Sequence, residues 1–341
     1  MFSKCVSIFF GVFFLFGIGC ATTTGQNIQT SQGIKNSLQT PNPAVENSDK
    51  ITAASVPAVI PVPLGREPTV RILLKGRRHG GRIVKVSMES YLAGVIGNEM
   101  SRRWPPEALK AQAVAARSYA FYRMTEAKRT GRKYDVMATQ ADQVFKMRDI
   151  KNPALKAIVL DTRGEVLSKE GQVVEAFYSS TCGGKTRTAE EAGLSTDAPL
   201  FACKQDNYCA RSPFRNWEIQ TTLEEISDKL NKAGYSISNL RSVKIVRQNR
   251  SSYVQSISIR DDAGFQKVSG DTFRHLMGSY NLKSLLFRLR QKGNNILITG
   301  NGFGHGVGMC QYGAKEMAAV GKNYQLILAK YYPGISVVRI Y

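Results

Sequence analysis

The sequence predicts an α+β domain built round a buried central helix and a groove, with a smaller α/β subdomain inserted at roughly residues 214–292. Three observations carry this. Pro105-Pro106-Glu107 opens a long alanine-rich segment that is apolar nearly all round, as a helix enclosed by its own domain must be. Short runs of β-branched and aliphatic residues flank that segment. The chain then closes on a glycine-rich turn, Gly300 to Gly308, followed by two further helical stretches.

Thr69 to Lys75 and Arg82 to Val86 read as paired strands, with Gly76, Gly80 and Gly81 in the turn between them. Ser87 is placed as an N-cap, and Glu89 falls in the first turn of a short helix reaching Ile96. Gly97-Asn98-Glu99-Met100 reads as a break. The central helix runs to Arg129 and stops at Gly131. Ala157 to Leu167, Gln172 to Ser179 and Ser242 to Arg260 read as strands, and Leu223 to Ala233 as a helix. Phe287 to Leu289 and Ile296 to Thr299 add strands, and helices at Gln311 to Val320 and Tyr324 to Tyr331 complete the chain.

The first 20 residues read as an export signal. Lys4 precedes an apolar stretch, Val6 to Ile18, whose 13 residues are too few to span a bilayer but suit a signal peptide. Gly19-Cys20 resembles a lipoprotein cleavage site, which makes Cys20 the candidate lipidated residue and membrane anchor. Gly17 stands where such sites usually carry an aliphatic residue, so an ordinary signal peptide and an uncleaved anchor stay open. Residues 21–65 are rich in Thr, Ser, Asn, Gln and Pro, and their four charges cancel; such a segment reads as a disordered tether. The folded domain is therefore expected over 66–341, outside the cytoplasm, in the periplasm or cell envelope. It carries the charge excess: Lys plus Arg number 47 against 26 Asp plus Glu, net +21, or +20 once Lys4 is removed. That balance points to a polyanionic partner, and export demotes nucleic acid in favour of an acidic envelope polymer.

Four constellations carry chemistry. Glu99, beside Met100 and Trp104, would have a raised pKa if its carboxylate lay in a partly apolar cleft, as a general acid requires; the alternative is an ordinary surface glutamate. Lys110, Gln112 and Arg117 are the polar exceptions on the central helix. Lys110 and Arg117 share one face and need either an anionic partner or a route to solvent. The run Asn301 to Ala314 holds His305, which either contacts a ligand or bonds a backbone carbonyl within a packed turn. Gly183-Gly184-Lys185-Thr186 lacks the first glycine of a phosphate-binding loop, and an exported protein meets no ATP.

The last constellation is cysteine. Cys182, Cys203 and Cys209 are open to a disulfide, a structural zinc or free thiols; the spacing is no standard finger and a fourth ligand is not evident. Cys310, five residues after His305, admits a Cys/His nucleophile pair, although such pairs are usually far apart in sequence.

SMESYLAGVIGNEMSRRWPPEALKAQAVAARSYAFYR resembles the opening motif of the stage II sporulation protein D (SpoIID/LytB) family. The resemblance continues through Tyr134 to Phe145, Glu175 to Thr186, Ser212 to Trp217, Val268 to Gly278 and Gly300 to Gly334, covering about residues 69–341 in order. It implies an extracytoplasmic lytic transglycosylase that cleaves the bond from N-acetylmuramic acid to N-acetylglucosamine in peptidoglycan strands denuded of stem peptides by a partner amidase. It implies that Glu99 is the catalytic acid and that no cofactor is required. The family usually has Ser where Cys310 stands, which argues against an essential thiol there. On this reading Lys110, Arg117 and Lys185 are candidates for the lactyl carboxylates, with Gln112 beside them, and Tyr119, Gln140, His305 and Gln311 for sugar hydroxyls. A non-catalytic glycan-binding wall protein and a Cys/His wall peptidase are the competing functions.

Overall fold

The computed structural model describes residues 60–61, 65–75, 81–194 and 205–341. The leader, Cys20, most of the tether and Cys203 lie outside the described residues. Strands β2 (Thr69–Leu74) and β3 (Arg82–Ser87) form an antiparallel hairpin that leads into α1 (Met88–Glu99). Ser87 occupies the cap position, but its hydroxyl bonds Ser90 and caps no backbone N–H. The helix runs three residues past Ile96, so Glu99 closes a helix where a break was expected. Asn98 makes this possible: its Nδ2 donates to the Gly94 carbonyl at 2.9 Å and to Asp149 at 2.8 Å, a long-range support that outweighs poor helix propensity.

Helix α2 (Pro106–Arg129) is the central helix. Ala108, Ala111, Val114 and Ala115 face one core, shared with the C-terminal helices. Ala113, Ala116 and Ala120 face a second, shared with α1 and β2. Small side chains on both faces let neighbouring helices approach closely. A short strand, β4 (Val136–Met137), pairs in parallel with β2.

The segment read as a strand from Ala157 is α3 (Pro153–Asp161); the strand itself is β5 (Glu165–Lys169). Asn152 caps α3 by accepting from the Leu155 N–H, and Pro153 occupies its first turn. Beyond it, Gln172 to Ser179 holds only two short strands, β6 (Gln172–Val173) and β7 (Tyr178–Ser179).

Trp217 to Ile298 supplies a separate core. Here β8 (Trp217–Thr222) leads into α4 (Leu223–Lys232), capped by Thr222. The single long strand expected over 242–260 is a hairpin, β9 (Ser242–Gln248) and β10 (Val254–Asp261), turning through Ser252 at φ 68°. Strand β11 (Gly264–Ser269) and α5 (Gly270–Met277) follow. Strands β12 (Phe287–Lys292) and β13 (Asn295–Gly300) form a sheet with β8, so the separate core takes in β13 and extends past the expected limit at 292.

Strand β14 (Met309–Cys310) pairs in parallel with β7 and opens into α6 (Gln311–Ala319). After α7 (Tyr324–Tyr331), β15 (Ser336–Arg339) joins β5 and also pairs in parallel with β1 (Ile60–Pro61), so paired structure reaches back into the segment read as tether. Among the described residues no helix is long and apolar enough to cross a membrane.

Candidate active site

Glu99 sits half-buried at the C-terminal end of α1. Its Oε1 accepts the Val144 N–H at 2.8 Å, and the Gln311 side chain also supports its charged form. Burial outweighs both and raises the carboxyl above the usual range. The helix end adds in the same direction, because carbonyls crowd the C-terminus of a helix and disfavour an anion. Glu99 is therefore suited to hold a proton, which is the property the sequence reading asked of it.

Gln311 is delivered by the first turn of α6, where β14 gives way to the helix. Its Nε2 donates to Oε1 of Gln112 on α2 at 3.4 Å. Gln112 is fully buried and its own Nε2 finds no hydrogen-bond partner among the described residues. The pair brings Gln112 and Gln311 together beside Glu99, with Gln112 a support behind Gln311. Behind Val144, Gln143 accepts from the Tyr91 hydroxyl at 2.7 Å and donates to that of Tyr178 at 2.9 Å. Gln143, Tyr91 and Tyr178 were not legible as site residues: they are 52 and 35 residues apart in sequence and meet only in the fold.

Several predicted contacts are engaged elsewhere. Arg117 is wholly buried, paired with Glu89 through Nη2 at 2.6 Å and Nε at 3.1 Å, and it donates to the carbonyls of Glu165 and Val159. It holds α1, α2 and β5 together and has no donor free for a substrate carboxylate. Lys110 bridges Glu107 and Asp161, both at 3.1 Å. The Tyr119 hydroxyl donates a hydrogen bond to Asp142 at 2.8 Å.

His305 adopts the packed-turn alternative. Nε2 meets the Tyr178 carbonyl at 2.9 Å and Nδ1 accepts the Val307 N–H, so Nε2 carries the proton. Burial, with the charge of Arg187 adding, pushes its pKa down to about 4, and the ring is neutral. The turn is tight because β7 and the glycine-rich run lie almost in contact: at Gly308, φ 67°, a Cβ would strike the Phe177 carbonyl. Cys310 faces Cys182 and the Ser180 carbonyl, not His305, which removes the nucleophile pair.

Two candidates remain at the surface. Lys185 is half-buried and reaches the Arg250 carbonyl at 3.2 Å. Gln140 is exposed and donates to the Tyr280 hydroxyl at 3.1 Å. Tyr280 ends a row of aromatic rings in edge contact, Trp104–Tyr312–Phe214–Phe303–Tyr280, with centroids 4.8 to 6.0 Å apart. The row's second ring, Tyr312, follows Gln311 in the chain. Its members are half-buried or, for Tyr280, exposed, so they present part of their apolar faces to solvent, where a flat, polar-edged ligand can stack.

Comparison with known proteins agrees with these motifs. A family model described as Stage II sporulation protein matches residues 77–168, and one described as a domain of unknown function matches 151–308. A stage II sporulation protein D of Bacillus amyloliquefaciens is 30% identical over 290 residues, covering 80% of this chain and 81% of its own. An uncharacterized protein of Brachyspira hyodysenteriae is 34% identical over 256 residues, 74% of this chain and 67% of its own. The amidase enhancer of Bacillus subtilis is 30% identical over 291 residues, 71% of this chain but 39% of its own. With relatives named stage II sporulation protein D matching at 30% identity over three quarters or more of its length, the chain belongs to the stage II sporulation protein D family.

Proposed function

We propose that the protein is a peptidoglycan lytic transglycosylase acting outside the cytoplasm, with Glu99 as its single general acid and base. The observation that carries the reading is the raised pKa of Glu99, with two donors near enough to receive the anion once the proton has left. Protonated Glu99 donates to the glycosidic oxygen as an oxocarbenium-like state develops at C1. The carboxylate then takes the proton of the sugar's C6 hydroxyl, which attacks C1 and closes the 1,6-anhydro ring. The proton returns to Glu99 and no water is consumed, so a second carboxylate to activate water is not required.

The net charge of +21 suits a strand whose lactyl carboxylates are free, and the aromatic row supplies faces for sugar rings. A relative named amidase enhancer supports the supply of denuded strands by an amidase. The export leader expected at residues 1–20 supports an envelope location for the domain. Denuded glycan incubated with the protein should yield 1,6-anhydro ends, seen by mass spectrometry as products one water lighter than hydrolytic ones. Glu99→Gln should abolish them while still binding glycan. Hydrolytic products, or anhydro ends formed by the variant at near wild-type rate, would refute the assignment. Binding should weaken as rising salt screens the basic surface.

A further inference from the structure

We propose that Cys182, Asp206, Cys209 and Cys310 bind one zinc ion that clamps the loops beside Glu99. Their four ligand atoms lie within 4.8 Å of one another, and all four residues are buried. Cys182 Sγ is 3.6 Å from Cys209 Sγ and 3.1 Å from Asp206 Oδ2. Zinc–sulfur bonds of about 2.3 Å in a tetrahedron put neighbouring sulfurs roughly 3.8 Å apart, so the cluster needs only a small contraction. Three soft thiolates and one carboxylate, closed off from solvent, suit zinc in a structural site, where all four positions are filled by protein.

The surroundings are those of anionic ligands. Backbone N–H groups of Cys182 and Gly313 donate to Cys310 Sγ at 3.3 and 3.4 Å. Arg215 Nη1 lies 3.7 Å from Cys209 Sγ. Tyr331 on α7 donates to Asp206 Oδ2 at 3.0 Å, and the Tyr208 N–H donates to Oδ1 at 3.0 Å; such outer contacts orient metal ligands. As three Zn–S bonds and one Zn–O bond form, three thiol protons leave for solvent and Asp206 stays a carboxylate. Nothing is oxidised.

The ligands come from three stretches of chain. Cys182 follows β7, Cys209 stands in the turn Tyr208–Arg211, and Cys310 ends β14 immediately before Gln311. The ion would fix the first turn of α6 and with it the amide that faces Glu99. The expected set of Cys182, Cys203 and Cys209 is thus rearranged: Cys182 and Cys209 stay, Cys310 and Asp206 join them, and Cys203 lies outside the described residues.

The test uses the full chain, exported and purified without chelator. Elemental analysis should find one zinc per chain, with the thiols of Cys182, Cys209 and Cys310 unreactive until a mercurial displaces the metal. Cobalt(II) in its place should give thiolate charge-transfer absorption and the intense visible bands of a tetrahedral site. Tyr331→Phe should weaken zinc by about 10–100-fold, and Asp206→Asn by at least as much. Glu99→Gln should bind zinc as the wild type does, so loss of catalysis and loss of metal are read separately. Three freely reactive thiols with no zinc uptake on titration, or a Cys182–Cys209 disulfide peptide, would overturn the proposal. If the variants fail to fold, the wild-type cobalt spectrum and zinc titration still decide it.

Discussion

Glu89 and Glu99 stand ten residues apart on one helix and do opposite work. Glu89 lies in the first turn, where the helix end favours an anion. It is saturated: Arg117 meets it with two nitrogens, the Tyr341 hydroxyl donates at 2.6 Å and the Gly164 N–H at 3.2 Å. Glu99 ends the same helix, where the carbonyls oppose an anion, and the donors it has are one backbone N–H and one side-chain amide. A buried carboxylate with a guanidinium partner holds a fold together. One given only neutral donors keeps an affinity for protons, and that is a chemical capacity.

The comparison breaks most sharply at Glu99 itself. Glu99→Gln should lower the rate of anhydro-product formation by at least ~10²–10⁴-fold, the range general acid catalysis contributes. Its stability should go the other way. Because the folded pKa of Glu99 lies above its unfolded value, the stability this group contributes is fully present below the unfolded pKa and lost as pH rises through the folded one. At neutral pH the variant should therefore melt above the wild type, and the gap should close on acidification. A variant less stable than wild type at neutral pH would show that Glu99 is a structural carboxylate like Glu89.

Arg117→Met should reverse that pattern. It leaves Glu89 buried without its cation and should cost about 3–5 kcal/mol, measured by denaturant unfolding. Any activity that survives in the folded fraction should have wild-type KM, since Arg117 touches no substrate on this reading. A normal fold with a raised KM would restore it to the groove.

How far this contrast was readable beforehand depended on whether the signal was local. Pro105-Pro106-Glu107 and the alanine run announced α2, because start signals and small residues act within the helix. Glu99 was identified through its motif, yet its place on a helix was not, because Asn98 is held by Asp149, 51 residues on. Arg117 looked like a ligand-binding cation because its partner, Glu89, is 28 residues away on another helix. α3 was read as a strand from Ala157: the aliphatic run Ala157 to Leu160 suits either element, and the cap that starts the helix, Asn152, lies five residues before it. Asp206 stands three residues before Cys209, but Cys310 was not joined to the set because it is 128 residues from Cys182, and the parallel pairing of β7 with β14 brings the two together.

Gln311→Leu sharpens the comparison at the proton. Gln311 supports the charged form of Glu99, so removing it should raise the pKa further. Activity that needs protonated Glu99 should then persist to higher pH, shifting the alkaline limb of the kcat/KM profile upward. An unmoved limb with lower kcat would make Gln311 a substrate contact alone.

The smallest effect belongs to Lys110. It touches Glu107 one turn before it and Asp161 at the end of α3, and its side chain is 20% exposed beside the 55% exposed Asp161. Water already solvates much of this pair, so screening leaves it little to lose. Lys110→Ala should change stability by no more than about 1 kcal/mol and leave product formation unaltered. That outcome would place Lys110 with the structural cations, as Arg117 is to Glu89, at the weak and solvated end of the series. Reduced affinity for glycan with free lactyl groups, but not for glycan with amidated ones, would instead show that Lys110 leaves its two carboxylates to meet the substrate.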